Sequence, residues 1–329
     1  MNPMRILGHD LALDLGAAST QIYVRKRGIV LNEPSLVLRD ESTGEVVGFG
    51  AEEPRTADSV AVCPVSRGVP TDHELTRRLI RHFLRKVHGH SFSRPRMVIA
   101  LPADSTGLAR DVLRDMAFEA EARQVYLVQH GLAAALGAGV QLGDPTAHMI
   151  VDLGCDTTRI AVVSRGSVVR AVTVHAGGRD VNRALIAQVR HEHHQVIGEH
   201  DAEQAKQRVG TAWKPSRARA TVRGTDPETK GESVLLVTAE EVYRATRALV
   251  NTVVRAATRL IEECSPETAE DVTDHGATLT GGGALMHGLP DRLHAELGIP
   301  VQRAERPVEA VALGLGRCVD DFSLIRKDR

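Results

Sequence analysis

An α/β fold made of two similar halves is predicted by three features of the sequence. Short apolar runs alternate with helical patterns along the chain, which is typical of sheets layered with helices. The chain has 329 residues, enough for about two domains of roughly 100–200 residues each. The pattern D-L-G-x-x-[ST]-T-x-I-x-V occurs at residues 14–24 and again at residues 152–162. This repeat indicates that the two halves carry equivalent elements.

Composition and charge narrow the class of protein. The net charge is −1 and aromatic residues make up 3% of the chain, so we expect no nucleic-acid partner. No apolar run approaches the ~20 residues that span a bilayer, and the N-terminal residues lack a signal-type apolar core. The cysteines lack the paired spacing of a zinc site or a disulfide framework, which indicates a reducing, cytoplasmic compartment. They are Cys63, Cys155, Cys264 and Cys318.

Strands are predicted where short apolar runs meet turn residues. The predicted strands are Leu11–Leu15, Gln21–Val24, Ile29–Leu38, Met97–Leu101, Val125–Val128, Met149–Leu153, Arg159–Val163, Val168–Val174 and Ala277–Leu279. Two capping-box patterns, Thr71–Glu74 and Thr238–Glu241, each predict the start of a helix that packs on the core. Residues 211–233 are polar and predict a surface hairpin or loop. Its basic tract, Lys214–Arg223, either contacts a partner or is solvated.

Both copies of the repeat predict a hairpin whose tip suits phosphate. An apolar strand ends in Asp-Leu-Gly, turns through two residues and leaves through Thr into a second strand. Backbone N–H groups at such a tip bind phosphate oxygens, and the Asp can hold Mg²⁺, usually through water. One such hairpin is weak evidence, but two facing copies can hold a polyphosphate from opposite sides.

A third glycine-rich segment supports a nucleotide site. Leu279-Thr-Gly-Gly-Gly-Ala284 lies between an apolar strand and Leu285–Leu297, which is predicted to be a helix. Glycines at such a junction let the backbone approach a ligand closely. A plain tight turn explains this segment alone equally well.

The sequence resembles the actin-like ATPases, and among them the bacterial MreB/Mbl proteins. The motifs that carry the resemblance are DLGAAST, RGIVLNEPS (27–35), PRMVIALP (95–102), VDLGCDTTRIAVVSRGSVV (151–169), AEQAKQRVG (202–210) and LTGGGALMHGL (279–289). It implies an actin-like fold of two duplicated α/β domains around a nucleotide cleft. The implied domains are residues 1–145, with an insertion at about 31–68, and residues 146–329, with an insertion at about 182–237. It also implies protofilaments on the inner membrane surface.

The resemblance also implies a set of site residues for ATP and Mg²⁺. Asp14 and Asp152 would hold Mg²⁺ through water. The first phosphate turn would be Gly16, Ala17, Ala18, Ser19 and Thr20, and the second would be Gly154, Cys155, Asp156 and Thr157. Glu203 and Lys206 would contact the nucleoside, although a surface salt bridge between them is an equal alternative. Gly281, Gly282, Gly283 and Ala284 would line the cleft.

Three segments depart from the family pattern. In the helix after the second turn, the family's Gly-Asp is replaced by Gly177-Gly178, which removes a carboxylate. The second turn usually carries a run of glycines, whereas Cys155 and Asp156 restrict its backbone and place a carboxylate near the phosphates. Arg159 either offsets that charge or faces solvent. The family reads Glu-Glu-Pro where this chain has Gln129-His130-Gly131. Gln129 would position the attacking water without acting as a base, and His130 is interpreted as structural.

Three functions follow from this interpretation. The first is an ATP-binding, filament-forming cytoskeletal protein that associates with the cytoplasmic membrane and organises cell shape and wall synthesis through partners. The second is a pseudo-ATPase scaffold that binds other shape proteins without hydrolysis. The third, a sugar-kinase or DnaK-type role, is disfavoured because no sugar-binding signature is seen. Phe92 is interpreted as a weak membrane anchor, and the HEHH run at 191–194 is interpreted as a solvated helix face in preference to a metal site.

Overall fold

The computed structural model describes residues 9–52, 58–88, 94–141 and 143–325, and these form two compact units. Of the described residues, unit 1 contains those from 9 to 145, Val163–Val169 and those from 308 to 325. Unit 2 contains Thr146–Val162 and Arg170–Pro307. Each unit combines a five-stranded sheet with helices and a smaller sheet, so the predicted α/β class is confirmed.

The elements follow in chain order. The first stretch contains β1 (Leu11–Leu15), β2 (Ser19–Val24), β3 (Gly28–Pro34), β4 (Val37–Asp40), β5 (Val46–Phe49), β6 (Ser59–Val62), β7 (Val65–Ser66), β8 (Val69–Pro70), α1 (His73–His88), β9 (Arg96–Leu101), α2 (Gly107–Glu119), β10 (Gln124–Gln129) and α3 (His130–Gly137). The second contains β11 (His148–Leu153), β12 (Thr158–Ser164), β13 (Ser167–Val174), α4 (Gly178–His193), β14 (Val196–Ile197), α5 (Glu199–Val209), β15 (Arg219–Thr225), β16 (Glu232–Thr238), α6 (Ala239–Glu262), α7 (Pro266–His275), β17 (Ala277–Thr280), α8 (Leu289–Leu297) and β18 (Val301–Arg303). Helix α9 (Ala310–Asp320) follows.

The two large sheets share one plan. In unit 1 the strand order is β10-β9-β1-β2-β3, with β1 parallel to β9 and antiparallel to β2. In unit 2 the order is β13-β12-β11-β17-β18, with β11 parallel to β17. Each repeat of the sequence pattern therefore supplies a central strand and its neighbour. Each sheet packs on its own hydrophobic core, which places the turn after each central strand on a rigid support.

Two sequence predictions need correction in unit 1. The strand expected over Ile29–Leu38 is divided into β3 and β4, because β3 ends at Pro34, which has no N–H for a further ladder bond. The N-cap of α1 is Asp72, whose Oδ1 accepts from the N–H of Leu75 at 2.9 Å. Thr71 instead donates its hydroxyl to the carbonyl of Pro64 at 3.1 Å. Both Thr71 and Asp72 are residue types that can cap a helix. Asp72 is the cap here because the hydroxyl of Thr71 is bonded to Pro64.

The other capping box is confirmed. The hydroxyl of Thr238 accepts from the N–H of Glu241 at 3.2 Å, and the carboxylate of Glu241 accepts from the N–H of Thr238 at 2.7 Å. This capping box starts the 24-residue helix α6. Residues 211–233 were predicted to be a surface hairpin or loop. The structure has a hairpin there, with β15 inside this range, but β16 runs from Glu232 to Thr238 and so lies mostly beyond it. None of the helices in the described ranges is both long and apolar enough to cross a bilayer.

Two helices of unit 1 approach each other through glycines. A Cβ on Gly137 of α3 would lie 1.7 Å from the carbonyl oxygen of Ala310, and one on Gly314 of α9 would lie 1.8 Å from that of Ala133. Real Cβ atoms essentially never come closer than 3.0 Å to such neighbours. The absence of side chains at these positions is therefore what permits the contact between α3 and α9.

A buried carboxylate at the start of β1 holds neighbouring segments of unit 1 together. Asp10 accepts from Arg96 through its Nη2 at 2.5 Å and its backbone N–H at 3.1 Å, and Arg25 and Arg123 lie within 4 Å. Burial raises the pKa of Asp10, but the bonds and charge of Arg96 outweigh it, so the pKa lies below the ordinary 3.8. Asp10 in its charged form therefore stabilises the folded state.

We expect the Asp10→Asn variant to lose about 1–3 kcal/mol of unfolding free energy at pH 7. A lowered folded-state pKa contributes stability that is present above the unfolded pKa and is lost as the pH falls through the folded pKa. The difference from the wild type should thus be complete at neutral pH and shrink below 3.8. Urea unfolding across pH measures it, with Asp111→Asn on the exposed side of α2 as the control. A difference that does not depend on pH would contradict the charge argument.

Candidate functional site

The two Asp-Leu-Gly turns have the same geometry. The N–H of Gly16 donates to the carbonyl of Ser19 at 3.1 Å, and the N–H of Gly154 donates to that of Thr157 at 2.9 Å. A Cβ on either glycine would lie 2.8 or 2.9 Å from the same carbonyl oxygen. The predicted repeat is therefore a repeat of backbone shape, and it requires glycine in both copies.

In unit 1, residues from two other segments hydrogen-bond to the backbone of the first turn. The thiol of Cys63 donates to the carbonyl of Ala17 at 3.1 Å, and the N–H of Ser35 donates to that of Ala18 at the same distance. The Thr20 hydroxyl is fully buried and bonds to the Ser35 hydroxyl at 2.8 Å. The side chain of Thr20, expected at the ligand, thus braces the turn. Asp14, at the end of β1, is half-buried.

In unit 2 the second turn lies beside a buried carboxylate. Asp152 is the residue of β11 that pairs with Thr280 of β17, and its Oδ1 accepts from the Thr280 hydroxyl at 2.8 Å. The residue is only 6% exposed. Parallel strands bring the ends of β11 and β17 to one edge of the sheet, so this carboxylate lies next to the glycine loop.

The glycine loop folds tightly against β11. A Cβ on Gly281, which has φ +79°, would lie 2.4 Å from the carbonyl oxygen of Leu153, and one on Gly283 would lie 2.7 Å from the Leu153 Cβ. Gly282 faces open space instead. The side chain of Ala284 is buried in the core. Gly281 and Gly283 therefore have to be glycine, because any side chain would collide with Leu153.

The helix predicted from Leu285 begins later than expected. A 3₁₀ turn covers Gly282–Leu285, and α8 starts only at Leu289, after Gly288 in the left-handed region with φ +68°. Pro290 fits the first turn of α8, where no N–H is needed. The glycine loop is thus followed by a 3₁₀ turn and not directly by an α-helix.

An arginine pairs with the unusual carboxylate of the second turn. Arg179, the second residue of α4, places its Nη1 2.7 Å from Oδ1 of Asp156. The start of α4 is bonded to the turn, because the N–H groups of Gly178 and Arg179 donate to the carbonyls of Gly154 and Cys155 at 3.0 and 2.9 Å. The sequence analysis left open whether Arg159 offsets the charge of Asp156 and did not consider Arg179, which makes this ion pair.

The thiol in the second turn has a raised pKa. Burial raises the pKa of Cys155 to about 11, although the positive charge of Arg179 acts in the opposite direction. The thiol is therefore protonated at neutral pH, and a protonated thiol is a poor nucleophile. Cys155 thus acts as a small, uncharged side chain where the family has glycine.

The Glu203–Lys206 pair is more than a surface salt bridge. Lys206 Nζ lies 2.6 Å from Oε2 of Glu203 and donates to the carbonyl of Gly178 at 3.0 Å, and its side chain is 12% exposed. Asn182 donates to the same carboxylate at 2.9 Å. Burial raises the pKa of Glu203, but the hydrogen bonds from Lys206 and Asn182 outweigh this effect, so the pKa of Glu203 is lowered overall. The pair is thus held against the first turn of α4.

The residues expected at the hydrolytic position lie at the start of α3 in unit 1. Gln129 ends β10, is exposed, and makes no side-chain cap bond as the N-cap of α3. Its amide is therefore not committed to capping the helix. His130 is buried, in agreement with its structural interpretation.

The HEHH run divides into separate contacts. His193 Nε2 lies 2.6 Å from Oε1 of Glu241, and Glu192 is paired with Arg244 at 2.8 Å. With Glu192 and Glu241, His193 forms a group close enough to hold an ion, yet both carboxylates already have partners. His191 and His194 are exposed. Phe92, the expected membrane anchor, lies outside the described residues.

Unit 2 therefore brings most of its predicted site residues together. The second turn, the glycine loop and the Glu203–Lys206 pair all contact β11 or the start of α4. Sequence reasoning missed Arg179 and the packing role of Gly177. A Cβ on Gly177 would lie 2.5 Å from the carbonyl oxygen of Cys155, so this position requires glycine. The run Gly-Gly-Arg-Asp before a helical pattern was the available signal.

Comparisons with known proteins agree with this arrangement. The family model described as MreB/Mbl protein matches residues 8–327. The cell shape-determining protein Mbl of Bacillus subtilis is 35% identical, over 98% of this chain and 99% of that protein. The cell shape-determining protein MreB of Escherichia coli is 37% identical, over 96% of this chain and 94% of that protein.

A solved structure shows the same fold. The crystal structure of MreB 5 of Spiroplasma citri bound to AMPPNP superposes with a TM-score of 0.90 at 26% identity, covering 96% of this chain and 97% of that one. The actin-like fold implied by the sequence is thereby confirmed. With a family match over nearly its whole length and relatives above 30% identity, the chain belongs to the MreB/Mbl family of actin-like proteins.

Proposed function

We propose that this protein is an ATP-binding, filament-forming cytoskeletal protein that organises cell shape and wall synthesis. The observation that carries the proposal is the pair of turns in which Gly16 and Gly154 make the same backbone bond. Turns of this kind expose backbone N–H groups that bind phosphate oxygens. The Spiroplasma citri relative was solved with AMPPNP, a nucleotide, which supports the same ligand class here.

The residues present fit a magnesium nucleotide. Gly154, Gly281 and Gly283 are required by the packing of the second turn and the glycine loop themselves. A Cβ on Gly282 would meet no atom of the described residues within 4 Å, so the backbone of the loop is open to a ligand at this position. Asp152 supplies a buried carboxylate of the kind that holds Mg²⁺, directly or through water, and Asp14 supplies the equivalent group in unit 1. The metal would screen the phosphate charge. Glu203 and Lys206 would contact the nucleoside, as the family resemblance implies.

Hydrolysis is proposed to be slow at most. Gln129 can orient a water through its amide but cannot accept the proton as a carboxylate does. The nucleotide would then act mainly as a ligand that favours the polymerising conformation. Self-association into protofilaments, contacts with wall-synthesis proteins and a peripheral position at the cytoplasmic membrane complete the proposal. Many weak membrane contacts along a filament would add up to stable attachment.

One observation favours a second candidate, a pseudo-ATPase scaffold that binds other shape proteins. Asp156 places a carboxylate in the turn that should bind phosphate, and this charge opposes ATP unless it is balanced. Under this alternative the chain would keep the actin-like fold but assemble through protein contacts alone.

Calorimetric titration with ATP, with and without Mg²⁺, followed by pelleting of polymers, decides between the two candidates. We expect Mg²⁺-dependent ATP binding and a larger pelleted fraction with the nucleotide. Polymers that form equally without nucleotide, together with no binding at millimolar ATP, would overturn the proposal in favour of the scaffold. Phosphate release over the same period measures the expected slow turnover.

A further inference from the structure

A buried side-chain oxygen lies close to the first turn of unit 1. Gln21 of β2 is 2% exposed, and its Nε2 donates to the carbonyl of Val308 at 3.1 Å. This bond fixes the orientation of the amide, because the opposite orientation would bring two acceptor oxygens together. Oε1 is therefore directed away from Val308, and it has no hydrogen-bond partner among the residues that the structure describes. Leaving a buried acceptor unsatisfied is costly, so we expect this oxygen to accept a bond when the site is occupied.

Gln21 lies directly across the ladder from a carboxylate. It is the residue of β2 that pairs with Asp14 of β1, and one further pair, Leu15 with Thr20, separates these two residues from the turn. Opposed residues of antiparallel strands place their side chains on the same face, with Cβ atoms about 4.5–5.5 Å apart. Asp14 is half-buried and so remains accessible to a ligand. The pair thus combines an accessible carboxylate with a buried amide oxygen.

The chemistry of Oε1 selects among the components of a magnesium nucleotide. An amide oxygen accepts hydrogen bonds and cannot donate one. The phosphate oxygens of a nucleotide are acceptors at neutral pH as well, so Oε1 cannot bind them. The sugar and the base carry donors that are neutral, whereas the neighbouring carboxylate of Asp14 attracts a cation. Hydrated Mg²⁺ is the component that brings both a positive charge and O–H donors.

We propose that Gln21 is a positioning residue for Mg²⁺, and that its Oε1 accepts from a water bound to the metal beside Asp14. This inference rests on the proposed binding of a magnesium nucleotide, and it assigns a role to a residue that the sequence analysis passed over. The bond to Val308 holds the amide in the orientation that the role requires. Groups that hold a metal's ligands without touching the metal commonly change its affinity by about 10–100-fold.

The test measures the affinity for ATP by calorimetry, once with Mg²⁺ and once with a chelator, and takes the ratio of the two affinities. Gln21→Met keeps the length of the side chain but removes both the oxygen and the bond to Val308. We expect the ratio to fall about tenfold in this variant, while the affinity in chelator stays the same. Gln21→Glu keeps an acceptor oxygen, so its ratio should equal or exceed that of the wild type.

Tyr23→Phe is the matched control for the lost hydrogen bond. Tyr23 lies two residues further along β2, on the same face, and its hydroxyl donates to Asp320 at the end of α9 at 2.7 Å. Like Gln21→Met, the control removes one bond between β2 and the C-terminal segment of unit 1, but it removes no acceptor beside Asp14. Its ratio should equal that of the wild type. Thermal unfolding shows whether each variant is folded, and Gln21→Leu serves as a second variant should methionine prevent folding.

The outcomes distinguish this inference from the function on which it rests. A wild type that binds no ATP, or binds it equally well without Mg²⁺, overturns the magnesium-nucleotide function itself. A wild type with Mg²⁺-dependent binding, together with a Gln21→Met variant whose ratio is unchanged, overturns only the role of Gln21. An equal fall of the ratio in Tyr23→Phe would also overturn that role, because the effect would then come from the loosened packing of β2.

Discussion

Alanine at Gly314 is expected to lower the unfolding free energy by at least about 2 kcal/mol. A new Cβ would lie 1.8 Å from the carbonyl oxygen of Ala133, so α9 would have to move away from α3. Glycine inside a helix is otherwise destabilising by roughly 0.5–1 kcal/mol relative to alanine. Helix propensity alone would make Gly314→Ala more stable than the wild type, whereas the close contact should make it less stable. A loss of unfolding free energy therefore indicates the close contact.

Urea unfolding followed by circular dichroism measures the effect. Gly107→Ala is the matched control, because Gly107 is also helical, at the start of α2, and a Cβ there would point into open space among the described residues. The control should be as stable as the wild type or more so. Equal stability of the two variants would refute the packing argument. Failure of Gly314→Ala to accumulate as folded protein, while Gly107→Ala folds, would be the same result in its extreme form.

The second large effect is expected at Asp152. Replacement by asparagine keeps an oxygen that accepts from Thr280 but removes the charge near which Mg²⁺ would lie. We expect the affinity for ATP in the presence of Mg²⁺ to fall about 10–100-fold, the range found for partners of metal-bound groups. Without Mg²⁺ the affinity should be unchanged or higher, because a negative charge beside the phosphates is gone.

Calorimetry with ATP in Mg²⁺ and in a chelator gives both values. Asp271→Asn is the control. The side chain of Asp271 accepts from the N–H of Ala147, just before β11 begins, so this variant removes one negative charge at the opposite end of the same strand. An equal loss with and without Mg²⁺ at position 152 would mean that Asp152 has a structural role only.

Much of the fold follows from local sequence patterns. The hairpins at 14–24 and 152–162 were predicted because a repeated strand-Gly-strand pattern has few alternative backbone shapes. The Thr238–Glu241 box was predicted for the same reason, since both partners of the cap lie within four residues of each other. Local interactions of this kind do not depend on the rest of the structure.

The errors arise where distant segments decide the outcome. Thr71 fails as the N-cap because its hydroxyl donates to the carbonyl of Pro64. Arg179 was missed because it lies 23 positions beyond the carboxylate it balances, and only folding joins them. The roles of the predicted site residues are themselves still predictions, since binding of a nucleotide depends on groups from several elements.

Helix α9 has a consequence for how the protein is made. It closes unit 1 by packing on α3, and Asp320 accepts from the hydroxyl of Tyr23 at 2.7 Å and the N–H of Lys26 at 3.0 Å, although the intervening chain builds unit 2. At about 5–20 residues per second, the ribosome needs roughly 10–30 s to travel from residue 145 to residue 310. During that interval the alanine-rich face of α3 is without its partner helix. Nascent unit 1 should therefore be a substrate for chaperones until α9 has left the ribosome, whereas unit 2 can finish folding first.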